Sequence, residues 1–217
     1  MNITKKKMAF LGDSITAGGI VSDQKNIYWK LFEQYDDCTV VGYGKSATRI
    51  AKQQDVQTPD YDNAYFVTRV PDMDDDIDVI VVFGGTNDYG HGDAAMGTMS
   101  DRTDDTFYGA LHNLYTALLE KYPTATIVVM TPTHRVDENQ LYNERGVRNV
   151  SNFEGYVNVI SEVAAYYAIP VLDLYRLSGM QPENETIRNI YMPDGLHPSD
   201  EGHRLIYNRL REFLLNL

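Results

Sequence analysis

The sequence predicts an α/β fold: a single-domain, three-layer α/β/α arrangement around a parallel five-stranded sheet. Three observations carry this expectation. Five short apolar runs are continuous rather than alternating, as strands covered on both faces require. Stretches with helical apolar spacing lie between them. No repeat, Pro- or Ser-rich linker or composition break divides the 217 residues, so residues 1–217 read as one domain.

The elements follow in chain order. "MAFLG" (8–12) is the first strand, and "NIYWKLFEQY" (26–35) places Ile27, Leu31 and Phe32 at helical spacing. "CTVVGYG" (38–44) and "DVIVVFGG" (78–85) are the second and third strands. The helix over 105–122 repeats at Phe107, Leu111, Leu114 and Leu118, and "TIVVMTP" (126–132) is the fourth strand. The helix over 152–168 repeats at Phe153, Tyr156, Val159, Ile160 and Val163 and precedes a weaker strand, "IPVLDLY" (169–175). The last helix spans 199–217, with Leu205, Ile206, Leu210 and Phe213 on its apolar side and Ser199 as its N-cap.

Composition excludes several classes. A net charge of −12 disfavours nucleic acid and anionic lipid as partners. The single cysteine, Cys38, can form no intrachain disulfide, which fits a reducing compartment. The apolar run behind the N-terminal lysines, Met8 to Leu11, is shorter than the roughly 7–15 residues of a secretory signal. No stretch approaches the ~20 apolar residues of a membrane span, so a cytoplasmic protein is expected.

Sites in open parallel sheets form at the carboxyl ends of strands. Here those ends read Gly12-Asp13-Ser14, Gly42-Tyr43-Gly44-Lys45-Ser46, Gly84-Gly85-Thr86-Asn87-Asp88 and Thr131-Pro132-Thr133-His134, with Asp194-Gly195-Leu196-His197-Pro198 in a later loop. Together they hold a hydroxyl nucleophile, a base, a carboxylate to orient it and donors for an oxyanion. Taken singly, each has an ordinary reading: Ser14 as a turn or cap residue, Asn87-Asp88 as a turn, Asp194 and His197 as a surface turn with an exposed histidine.

Four blocks in order resemble the SGNH (GDSL-type) hydrolases, a family of esterases and acylhydrolases: "GDSIT", "GYGKSAT", "GGTND" and "DGLHPS". The resemblance implies a flavodoxin-like SGNH-hydrolase architecture. It implies Ser14 as nucleophile, His197 as base and Asp194 as its orienter, with an oxyanion hole from Ser14, Gly44 and Asn87. Ile15 stands where the family usually has Leu, and Gly42 where Asn is common. Asp13 is read as a turn-holding residue. Four other histidines compete as base: His112 and His203 lie on helices and read as structural or solvent-facing, His91 follows a strand end and is placed to line the pocket, and His134, after the fourth strand, is the more serious rival.

The implied activity is hydrolysis of carboxylic esters of small or short-acyl substrates, with acetylated carbohydrate one option and a lysophospholipid or thioester another. Tyr61, Tyr65, Phe66 and Tyr89 are candidates to stack on a sugar. The expected partner is a small-molecule ester; no cofactor, metal, nucleic acid or membrane is expected. A metal site from Asp194, His197 and His203 is disfavoured because the set crosses from loop into helix. The rival enzyme class is an NAD(P) oxidoreductase: "GYGKSA" fits G-x-G-x-x-A after a strand, with Asp60 and Asp62 downstream. It leaves Asn87, Asp194 and His197 without a task. A non-catalytic binding module is the other alternative. No G-x-S-x-G elbow occurs, which disfavours an ordinary α/β-hydrolase.

Overall fold

The computed structural model describes residues 1–217. Five parallel strands form one sheet: β1 (Lys7–Gly12), β2 (Thr39–Gly44), β3 (Val79–Phe83), β4 (Thr126–Met130) and β5 (Val171–Leu172). Their order is β2-β1-β3-β4-β5. β1 pairs with β2 from Lys7↔Thr39 to Gly12↔Gly44, and with β3 from Met8↔Val79 to Gly12↔Phe83. The order reverses direction at β1, so a crevice opens between the carboxyl ends of β1 and β3.

Ten helices accompany the sheet: α1 (Ser14–Ala17), α2 (Lys30–Tyr35), α3 (Pro59–Asp62), α4 (Phe66–Arg69), α5 (Thr86–His91), α6 (Phe107–Lys121), α7 (Phe153–Tyr166), α8 (Leu174–Leu177), α9 (Glu185–Tyr191) and α10 (Asp200–Leu215). Successive strand residues point to opposite faces, and each face has its own core. Ala9, Leu11, Ile80, Val82, Ile127 and Val129 pack with residues of α4, α6 and α7. Met8, Phe10, Val79, Val81, Val128 and Met130 pack with residues of α1, α2 and α10. Continuous apolar strands are the consequence, because both faces are covered.

The structure departs from the expected elements at the edges. β2 is an edge strand whose residues are half-buried or exposed, so its valines meet only part of a core. The fifth strand is only Val171–Leu172, because Asp173 caps α8: its carboxylate accepts from the Arg176 N–H and turns the chain out of the sheet. Residues 24–26 form a separate 3₁₀ turn ahead of α2. The short helices α1, α3, α4, α5, α8 and α9 have no counterpart among the expected elements; four of them span only 4 residues, too few to show a helical period. Ser199 caps α10 as expected, accepting from Gly202 N–H. No helix is long and apolar enough to cross a membrane.

Candidate active site

α1 begins directly after β1, with Asp13 as its N-cap and Ser14 as its first residue. The Asp13 carboxylate accepts from Ile15 N–H at 3.0 Å, which holds the turn and keeps this acid off the histidine. Burial pushes the Asp13 pKa up to about 6, against the lowering effect of the Ile15 bond and of the nearby His197 and Arg69.

The Ser14 hydroxyl lies 3.0 Å from His197 Nε2, a contact across 183 residues of sequence. His197 Nδ1 lies 2.7 Å from Asp194 Oδ2. The other carboxylate oxygen of Asp194 accepts from the backbone N–H groups of Leu196 at 2.9 Å and His197 at 2.7 Å. Burial acts to raise the Asp194 pKa, but the bonds from the His197 ring and these two N–H groups outweigh it and hold the carboxyl below its ordinary range. Gly195, at φ +82°, supplies the left-handed turn that brings Asp194 and His197 to one side. The loop is fixed to the α1 side of the crevice from outside: Asp200, at the start of α10, accepts from Ser22 N–H and Asn26 Nδ2, each at 2.9 Å.

Asn87 lies in the first turn of α5, after β3. Its Nδ2 donates to Thr48 O at 3.0 Å, and its Oδ1 lies 3.0 Å from His91 Nε2. The adjacent Asp88 accepts from Ile50 and Ala51 N–H, both at 2.9 Å, which ties α5 to the segment after β2. Burial raises the Asp88 pKa to about 6, with those two N–H bonds opposing it.

Ser14, Asn87 and His197 line one cavity of about 360 Å³, together with Ser46, Ala47, His91, Glu144 and Leu196. Gly44 is not among its walls. It borders a different cavity beside Tyr43 and Arg69, and its Cα packs on α1 so closely that a Cβ there would sit 2.4 Å from Ala17 N. The second block brings Ser46 to Ser14 and Asn87, and with it Ala47, three positions after Gly44. The φ of Ala47 is +61°, and its N–H has no hydrogen-bond partner within the protein. Sequence reasoning missed Ala47 because an alanine carries no sign of a left-handed backbone.

Of the competing histidines, His91 lines the cavity. His134 is held by Glu138 at 2.8 Å and packs on Tyr175, away from Ser14. His112 and His203 are buried. Tyr61 lines an adjoining cavity of about 330 Å³ that shares Ala47, His91 and Glu144 with the first. The other aromatic candidates serve the fold: Phe66 and Tyr89 are core residues, and Tyr65 bonds Asp104. The Gly42–Gly44 segment leads into no helix, the next being α3 at Pro59, so the dinucleotide motif lacks the helix N-terminus it needs. Asp62, the acid of that motif, is instead paired with Arg49.

The family model of the GDSL-like lipase/acylhydrolase family matches residues 10–205, from β1 into α10. The chain belongs to this family. A solved protein from Lactobacillus plantarum is 32% identical over 99% of this chain and 98% of its own, with a TM-score of 0.83. The lipase/acylhydrolase from Enterococcus faecalis is 21% identical over 95% of this chain and 94% of its own, at TM-score 0.63. An acetyl xylan esterase is also 21% identical, covering 95% of this chain and 98% of its own at TM-score 0.60, and shares the fold. No curated protein sequence matches the chain.

Proposed function

We propose that this member of the GDSL family is a serine esterase that cleaves short-acyl carboxylic esters through an acyl-enzyme at Ser14. The observation that carries the reading is the continuous chain Ser14 Oγ–His197 Nε2 at 3.0 Å and His197 Nδ1–Asp194 Oδ2 at 2.7 Å. Asp194 holds the proton on Nδ1, which leaves the Nε2 lone pair to take the Ser14 proton as Oγ attacks the ester carbonyl. The imidazolium then gives that proton to the departing alkoxide. Water, deprotonated by His197, attacks the acyl carbon and releases the acid.

The tetrahedral oxyanion is held by the backbone N–H groups of Ser14 and Ala47 and by the second N–H of Asn87 Nδ2. Ala47 takes the place that the motif comparison assigned to Gly44. Each such donor contributes roughly 2.7–4 kcal/mol to the transition state.

The short-acyl preference rests on the walls of the cavity. Ala47 and Leu196 are its only apolar lining residues, so a longer chain finds little of the ~0.8 kcal/mol per buried CH₂ that would reward it. The adjoining cavity, lined by Arg49, Tyr61, Asp62 and Arg145, suits a polar alcohol such as a sugar.

The test is hydrolysis of p-nitrophenyl esters of increasing acyl length and of acetylated sugars by wild type and Ser14→Ala. Wild type cleaves acetate best, and Ser14→Ala loses several orders of magnitude in kcat. An unchanged rate in the variant refutes the nucleophile. A rate that climbs with acyl length refutes the substrate class and favours a lysophospholipase or long-chain thioesterase.

A further inference from the structure

Asn87 and His91 stand four residues apart on α5, so their side chains share one face of the helix. Asn87 Oδ1 and His91 Nε2 are 3.0 Å apart. On its other side, the His91 ring meets Arg49: Nη2 reaches Nδ1 and also donates to the His91 carbonyl at 3.2 Å. Arg49 in turn pairs with Asp62, both side chains being almost fully buried, at 3% and 2% exposure. Asp62 is itself fixed by the N–H groups of Gln57 at 2.8 Å and Thr58 at 2.7 Å.

A count of donors and acceptors along this chain leaves one arrangement. A guanidinium only donates, so His91 Nδ1 facing Arg49 is an acceptor and carries no proton. A neutral ring then has its hydrogen on Nε2, which donates to Asn87. The Asn87 atom receiving that bond must be the oxygen, so the amide nitrogen is the other terminus. One of its two hydrogens meets Thr48 O at 3.0 Å, and the second is left for the cavity that holds Ser14. The Thr48 carbonyl alone disfavours a flipped amide but leaves it free to swing about its own bond. His91 at the opposite terminus fixes the plane. Burial lowers the His91 pKa to about 4, helped by Arg49, Arg135 and Arg145, so the ring is neutral at neutral pH.

We infer that His91 is a positioning residue: held in one tautomer by the Arg49–Asp62 pair, it sets the Asn87 amide so that its free N–H points at the oxyanion. This rests on the esterase reading and on Asn87 as an oxyanion donor. A purely structural histidine would serve equally well whether or not Asn87 were present, and that difference is measurable.

The experiment is a double-mutant cycle on p-nitrophenyl acetate hydrolysis with wild type, His91→Phe, Asn87→Ala and the double variant. His91→Ala is run in parallel, and a thermal melt accompanies each protein. Phenylalanine keeps the ring packing but has no Nε2–H. The expected result is a loss of kcat in His91→Phe that approaches the roughly 10²–10³-fold loss of Asn87→Ala, with little change in KM. In the Asn87→Ala background the same substitution costs less than about two-fold. Equal losses in both backgrounds, or none in either, overturn the positioning role. Asn87→Ala hydrolysing at the wild-type rate instead overturns the oxyanion reading beneath it, and wild type lacking all activity overturns the esterase reading.

Discussion

Gly44→Ala separates a packing role from a role in binding the oxyanion, because alanine keeps the backbone N–H. An ideal Cβ at position 44 lies 2.4 Å from Ala17 N and 2.5 Å from Thr16 C, where ordinary contact begins at 3.4 Å. These are backbone atoms of α1, so no flexible side chain can yield. The helix must retreat from β2 by about 1 Å to relieve the contact, at the upper end of the ~1–3 kcal/mol that overpacking costs. At about 2–4 °C per kcal/mol for a chain of this size, the melting temperature falls by roughly 4–12 °C. α1 begins with Ser14, so the same retreat moves the Ser14 hydroxyl, the proposed nucleophile, relative to His197. A displacement on the order of 1 Å costs about 10² in rate. Thermal melting and p-nitrophenyl acetate kinetics on one preparation read both effects, and they are expected to fall together. Lost activity at an unchanged melting temperature refutes the reasoning, since the added methyl then acts at the site without displacing α1. No change in either shows that α1 does not bear on β2 as tightly as drawn.

Three further outcomes are expected. Asp194→Asn puts an amide N–H₂ where Oδ2 faces His197 Nδ1, which drives the ring proton to Nε2 and removes the base; steady-state kinetics should show a kcat loss on the order of 10⁴ with KM nearly unchanged. Asp13 is buried with its pKa raised to about 6, so the folded state holds its proton more tightly than the unfolded chain and this group's contribution to stability declines as pH rises from about 4 to 6. Asp13→Asn can keep the Ile15 bond and has no such titration. Its melting temperature relative to wild type should therefore climb across that interval and stay higher above it; parallel curves would contradict the burial argument. Asp62→Ala leaves Arg49 charged and buried without its partner, and urea denaturation should register a loss of about 3–5 kcal/mol.

The fold was legible because its physics is local. Residues such as Val79 to Phe83 are all buried, and a strand covered on both faces has no choice but to be apolar throughout. α6 and α7 begin within a residue or two of where the apolar repeat placed them, since each has a full face to bury and a capping Thr106 or Asn152. The fifth strand was overdrawn because the decisive event, Asp173 turning the chain into α8, depends on one side chain capturing the N–H of Arg176. Apolar content in "IPVLDLY" does not reveal that.

The candidate site divides along the same line between side-chain chemistry and backbone conformation. Ser14, Asn87, Asp194 and His197 announce themselves by functional group, and the chain has few other places to put such a set at strand ends. Ala47, the proposed oxyanion donor, does not, because what it would offer is a direction of its N–H. A left-handed alanine costs roughly 1–2 kcal/mol, and the turn around it is built to hold that conformation. The Lys45 carbonyl accepts from both Thr48 N–H at 3.4 Å and Thr48 Oγ1 at 2.7 Å, and Arg69 reaches the same hydroxyl while its other nitrogen bonds the carbonyls of Gly12 and Tyr43. Arg69 thus joins the ends of β1 and β2 to the turn that carries Ala47. Strain held in this way has a use if the N–H must already face the oxyanion before charge develops there, which is what electrostatic preorganisation requires. A glycine at position 47 would relax the strain and keep the N–H, but would free the turn to sample other conformations. On the proposed reading the alanine keeps the donor aimed, three residues beyond the glycine of the second block.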